Sequence, residues 1–198
     1  MITTRVSVSD LEQFETTTCP KIDLEQLEPG DGAKLLEALG VDGTDEERRA
    51  ASGEFGGHAL ALTLLRTYLR DACEGDIRRR DQIGPLVDEE QHGGHARRVM
   101  ESYETWLGDG PQMQILRMLG LFDRPAEAGA VKALRGEPPI AGLTDRIVGL
   151  DEREWKKHLS RLRRAGLVAE ADPAEPGVID AHPLVREHFG EKLRREDE

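Results

Sequence analysis

Apolar residues recur at helical spacing along most of the chain. The stretch "GGHALALTLLRTYLRDAC" puts Leu60, Leu64 and Tyr68 on one face and Leu62, Leu65 and Leu69 on another. It predicts a helix buried on more than one side, central to a bundle. Three further helices are predicted around it. "DGAKLLEALG" is closed by Gly40, and "TDEERRAASGEF" has Thr44 as its N-cap and acids in its first turn. "GHARRVMESYETWLG" carries Val99, Met100, Tyr103 and Trp106-Leu107 at helical spacing. "DIRRRDQIGPL" between them predicts a short basic turn and linker. Residues 1–29 are predicted extended, with the β-branched "ITTRVSV" as a strand.

Gly108-Asp109-Gly110-Pro111 breaks the pattern and predicts a domain boundary. Beyond it, "PQMQILRMLGLF" predicts a helix with Pro111 at its first position. "PAEAGAVKALRG" predicts a second. Pro138-Pro139 and Gly142 predict a loop, with a short turn at "LTDRIVG". "DEREWKKHLSRLRRAG" predicts a third helix, acidic in its first turn and basic in its last, as the helix dipole favours. "LVAEADPAEPGVIDAH" reads strand, Pro/Gly turn, strand, and so predicts a β-hairpin. A last helix starts at Pro183. The expected fold is mainly α. Residues 1–29 form a lead-in, 30–108 a small helical bundle, and 111–198 a winged-helix domain with a β-hairpin.

Composition narrows the function classes. The 198 residues are 37% hydrophobic and 33% charged, with a net charge of -12. Such a mean field repels phosphates, which disfavours a general nucleic-acid or anionic-membrane binder. The two cysteines, Cys19 and Cys73, form no CxxC pair. They imply neither a disulfide framework nor a zinc site, and fit a reducing cytosol. No apolar run reaches transmembrane length, and "MITTRVSVSDLEQ" does not read as a signal peptide. His92 and His95 in "HGGH" lack a Cys or carboxylate frame for a metal, and a glycine-rich loop is expected there.

Four segments carry chemistry. Arg5, at the end of the predicted first strand in "ITTR", could offer a bidentate cation to a phosphate. Gly56 and Gly57 in "GGHALAL" let a ligand or another backbone approach the start of a long helix. "MLGLFDRP" follows the domain break. In "DAHPLVREHF", His182 stands where a strand meets a helix, with Pro183 fixing the first turn behind it. An imidazole there can donate to a phosphate and titrates near neutrality. Each residue also has a plainer reading: a surface arginine, an ordinary loop before a core helix, a capping histidine.

Taken in order, the four segments resemble motifs of NB-ARC-type STAND NTPases, the signalling ATPases related to AAA+ proteins. "ITTR" resembles their strand-end sensor, "GGHALAL" their GLPLAL-type motif, "MLGLFDRP" an early winged-helix segment of bacterial members, and "DAHPLVREHF" the segment bearing their MHD motif. The resemblance spans almost the whole chain. It implies that Arg5, Gly57, His58, Ala59 and His182 face ADP or ATP, which is held with Mg in a longer parent protein. It implies no tightly bound cofactor for this chain alone. Ala59 stands where the family carries proline, and Pro183 where it carries aspartate.

No GxxxxGK[ST] loop is present, and no apolar strand ends in paired acids. No catalysis is therefore expected of this chain. The resemblance implies the regulatory part of a nucleotide switch that couples nucleotide state to conformational change and oligomerisation. Its expected partners are an upstream nucleotide-binding domain, effector and sensor domains, or a second copy. A second reading is a winged-helix DNA-binding regulator. It would use helix 151–165, with Lys156, Lys157, Arg161 and Arg164 at phosphates. Asp151, Glu152, Glu154 and the acidic hairpin tip "DPAEPG" oppose it. A third reading is a protein-interaction scaffold.

Overall fold

The computed structural model describes residues 25–86 and 93–196 and, before them, Asp10, Phe14, Thr18 and Pro20. The predicted first strand and Arg5 lie outside the described residues. The architecture is mainly helical. In chain order the α-helices are α1 (Pro29–Ala38), α2 (Asp45–Glu54), α3 (Ala59–Ala72), α4 (Gly94–Leu107), α5 (Pro111–Leu119), α6 (Ala128–Leu134), α7 (Glu152–Arg164) and α8 (Pro183–Glu196). The basic segment expected as a turn is a 3-10 helix, Ile77–Gln82, capped by Asp76.

Local chemistry accounts for the ends. Thr44 caps α2 in a full capping box: its side chain accepts from the Glu47 N–H, and the Glu47 carboxylate accepts from the Thr44 N–H at 2.8 Å. Pro111 takes the first turn of α5, where a missing N–H costs nothing. Asp151 caps α7 by accepting from the Glu154 N–H.

Packing follows the apolar faces. Helix α1 crosses α2 where Gly32 meets Ser52, so closely that a Cβ on Gly32 would lie 1.9 Å from Ser52 Oγ. Helices α3 and α4 run parallel. Arg98 lies over the Phe55 ring at 3.8 Å near their starts. Further along, the Tyr68 and Tyr103 rings meet edge to face at 5.4 Å. Helix α8 is parallel to α4 as well: Leu184 faces Gly93 at one end, and His188 and Lys192 reach Glu104 further on. Helix α8 also packs on α5, with the Gly190 and Gly120 backbones in close approach.

One apolar core runs through both halves. It includes Leu64 and Leu65 of α3, Met100 and Tyr103 of α4, Leu116 of α5, Leu162 of α7 and Phe189 of α8. The single Tyr103 O–H is shared between Leu64 O at 3.2 Å and Ala165 O at 3.4 Å, so α4 is tied to α3 and to the end of α7.

The expected hairpin is not formed as strands among the described residues. Between its two arms Ala169 N–H donates to Asp180 O at 2.8 Å. Ile179 instead forms an antiparallel bridge with Ala126, ahead of α6. The arms are short, and Pro173 and Pro176 supply no N–H to a ladder. The Asp172 carboxylate takes the Ala174 N–H into a local turn.

Candidate functional site

The glycine pair after α2 is built on positive φ angles, +60° at Gly56 and +61° at Gly57. The approach that Gly57 permits is made by the chain itself. Leu27 N–H donates to Gly57 O at 2.9 Å, and a Cβ on Gly57 would stand 2.0 Å from Leu27 O. A Cβ on Gly56 would lie 2.6 Å from His95 Nε2 at the start of α4. His58 then caps α3, its Nδ1 accepting from the Ala61 N–H at 3.3 Å. Ala59 is the first helical residue and is exposed.

His182 caps in a similar way. Its Nδ1 accepts from the Leu184 N–H at 3.2 Å, and its carbonyl accepts from the Val185 N–H at 2.8 Å. An accepting Nδ1 places the proton of a neutral ring on Nε2, at His58 and at His182 alike. The plain capping role of His182 is thus realised in the structure, and it fixes the tautomer.

The described motif segments converge. The start of α4 lies between two of them, with His95 against Gly56 and Gly93 against Leu184. Because α3, α4 and α8 are parallel, their N-termini share one end of the molecule. "MLGLFDRP" meets "DAHPLVREHF" directly. The buried Arg186 donates to the Asp180 carboxylate at 2.5 Å, to Ala181 O at 2.6 Å and to Asp123 O at 3.3 Å. An open cleft of about 330 Å³ lies between these two segments, lined by Gly120, Leu121, Phe122, Asp123, Pro183 and Arg186 among others. The Gly56–Ala59 loop is not part of its lining.

Charged contacts between α4 and α8 were not visible in the sequence reading. Arg97, buried on α4, reaches Glu187 at 3.0 Å and Glu191 at 2.8 Å. Glu104, two turns on, accepts from the buried His188 and from Lys192. Burial opposes ionisation of Glu104, but the hydrogen bonds from His188 and Lys192 outweigh it and hold the carboxyl below the usual glutamate range. A sequence signal existed: opposite signs seven apart on α4 face like pairs four apart on α8.

On α7 the seam Trp155, Leu159 and Leu162 is buried, while Lys156, Lys157, Arg161 and Arg164 are all exposed. Among the described residues no group of three His, Cys, Asp or Glu side chains is placed to hold a metal ion, and no helix is long and apolar enough to cross a membrane. Comparison of the chain with protein-family models, with curated proteins and with solved structures finds no match.

Proposed function

We propose that this chain is the regulatory part of a nucleotide-dependent signalling switch of the STAND type, with no catalysis of its own. The observation that carries the reading is the convergence of the Gly56–Ala59 and His182 segments around the start of α4. Two histidines whose Nδ1 caps a helix start there, at the positive ends of parallel helices, suit an anionic ligand. In this reading Gly57, His58, Ala59 and His182, together with Arg5, face the phosphates and base of ADP or ATP. Mg and the phosphate loop come from an upstream nucleotide-binding domain. Residues 111–198 act as a winged-helix unit whose wing is shortened to the turn at 172–178. The Ala126–Ile179 bridge and the Ala169–Asp180 hydrogen bond support that assignment, because they join the right segments for it.

Calorimetric titration of ADP tests the proposal, using this chain and a version extended upstream through a phosphate-loop domain. The expected result is no binding to this chain and binding to the extended one that weakens at least tenfold in His182→Ala. Equal binding by His182→Ala, or none by the extended protein, would sink the reading.

A further inference from the structure

The exposed cations of this acidic protein are not spread evenly. Outside α7, exposed cations such as Lys34, Arg49, Arg78 and Arg146 sit within salt-bridge distance of a carboxylate. On α7 the exposed Arg153, Lys156, Lys157, Arg161 and Arg164 have no carboxylate at that distance among the described residues. Of the acids nearest in sequence, Glu154 is exposed on α7 itself with no cation at salt-bridge distance among the described residues, and two others are engaged elsewhere. Glu152 pairs with Arg135 at 2.8 Å, and the Asp151 carboxylate caps the helix. With acids outnumbering bases 39 to 27, chance pairing would leave acids unpaired, not five neighbouring bases.

Helical geometry gathers the five on one strip. At about 100° per residue Arg153, Lys157 and Arg164 fall opposite the Trp155–Leu159–Leu162 seam, Lys156 and Arg161 flank them, and the exposed Glu154 stands beside Arg161. His158 borders the strip, and burial together with the charges of Arg161 and Lys157 pushes its pKa down. The strip is short, about 17 Å from Arg153 to Arg164. Acids bound it: Glu154 on its Arg161 side, Asp151 and Glu152 before it, and Glu170, Asp172 and Glu175 after it. A nucleic-acid duplex continuing past either end would bring its phosphates toward those carboxylates. A short acidic protein segment would not.

We propose that the outer face of α7 is a docking surface for an acidic protein segment of about three helical turns, rich in Asp and Glu. Its Arg153, Lys156, Lys157, Arg161 and Arg164 would pair with the partner's carboxylates. The surface lies on the opposite side of α7 from the core, and the proposal does not rest on the nucleotide reading.

The test is fluorescence anisotropy with the full chain and a labelled Asp/Glu-rich peptide of about 12 residues, beside a labelled DNA duplex. The expected result is salt-sensitive peptide binding and no DNA binding. Lys157→Glu/Arg161→Glu should weaken peptide binding at least tenfold with an unchanged circular dichroism spectrum. Lys34→Glu, an exposed change on α1, should leave binding as it was. Absence of peptide binding at low salt, equal binding by the double variant, or tighter binding of the duplex than of the peptide would each overturn the proposal.

Discussion

At Gly57 the backbone combines a φ of +61° with the closest main-chain approach to Leu27. A methyl group there meets Leu27 O before it meets anything else. Gly57→Ala should therefore cost about 1–3 kcal/mol, through the strained φ and the loss of the Leu27–Gly57 hydrogen bond. Gly53 is the control. It is helical, and a Cβ there would meet nothing within 4 Å. Gly53→Ala should be neutral or stabilising by up to about 1 kcal/mol. Urea unfolding of both variants checks the contrast, and equal effects would contradict the geometry. Glu104 supplies a pH test at the same scale. Its folded pKa is depressed, so its stabilisation is present above about 4.3, the ordinary glutamate value. That stabilisation is lost as pH falls through the folded pKa, because the unfolded chain takes up the proton first. Glu104→Gln should be less stable than wild type near neutral pH. The two unfolding midpoints should converge as pH falls through the folded pKa of Glu104. A constant gap across the acid range would mean that the carboxylate charge is not what matters.

Helix α2 shows how far local chemistry alone specifies an element. Its formation was legible because Thr44 and Glu47 are three apart and acids fill its first turn. The Glu47 carboxyl is pushed down to about 2, first by the Thr44 backbone N–H and then by Arg78. Thr44→Ala removes one side of the box and should cost about 1 kcal/mol. Chemical denaturation measures it, and no change would mean that α2 is held by its α1 contact alone. The other helices were legible for similar reasons, from Pro111 opening α5 to the charge gradient along α7. The hairpin was not. Alternating residues in "LVAEADPAEPGVIDAH" match a strand pattern, but whether strands form depends on ladder partners. Ile179 finds its partner in Ala126, more than 50 positions away, which no local pattern reports. The candidate site divides likewise. Gly57 and His182 stood out by type and neighbours. That Leu27 fills the space beside Gly57 depends on tertiary packing. So does the meeting of Arg97 with Glu187 and Glu191.

At the scale of the whole molecule, the Gly108–Pro111 break separates two sequence patterns, yet the core passes across it without interruption. Tyr103 is central to this continuity. It is fully buried, and its hydroxyl bridges Leu64 on one side of the break and Ala165 on the other. Burial pushes its pKa well above the usual tyrosine value, so it stays a neutral donor at any physiological pH. A shared core of this kind unfolds as one unit. Heating should give one transition with matching calorimetric and van't Hoff enthalpies. Tyr103→Phe removes the one donor that the two carbonyls share. It should lower stability by about 1–2 kcal/mol while keeping the transition single. Two resolved transitions in the wild type would show that the halves are energetically separate. A switch built on this chain then has two different seams to choose between. The apolar one through Tyr103 holds the halves together. The charged one between α4 and α8 joins the buried Arg97 to the part-exposed Glu187 and Glu191, so opening it wets the carboxylates readily but strips a buried guanidinium of its partners. Added salt should accordingly weaken Arg97-containing wild type more than Arg97→Ala, and equal salt sensitivity would place the salt-sensitive seam elsewhere.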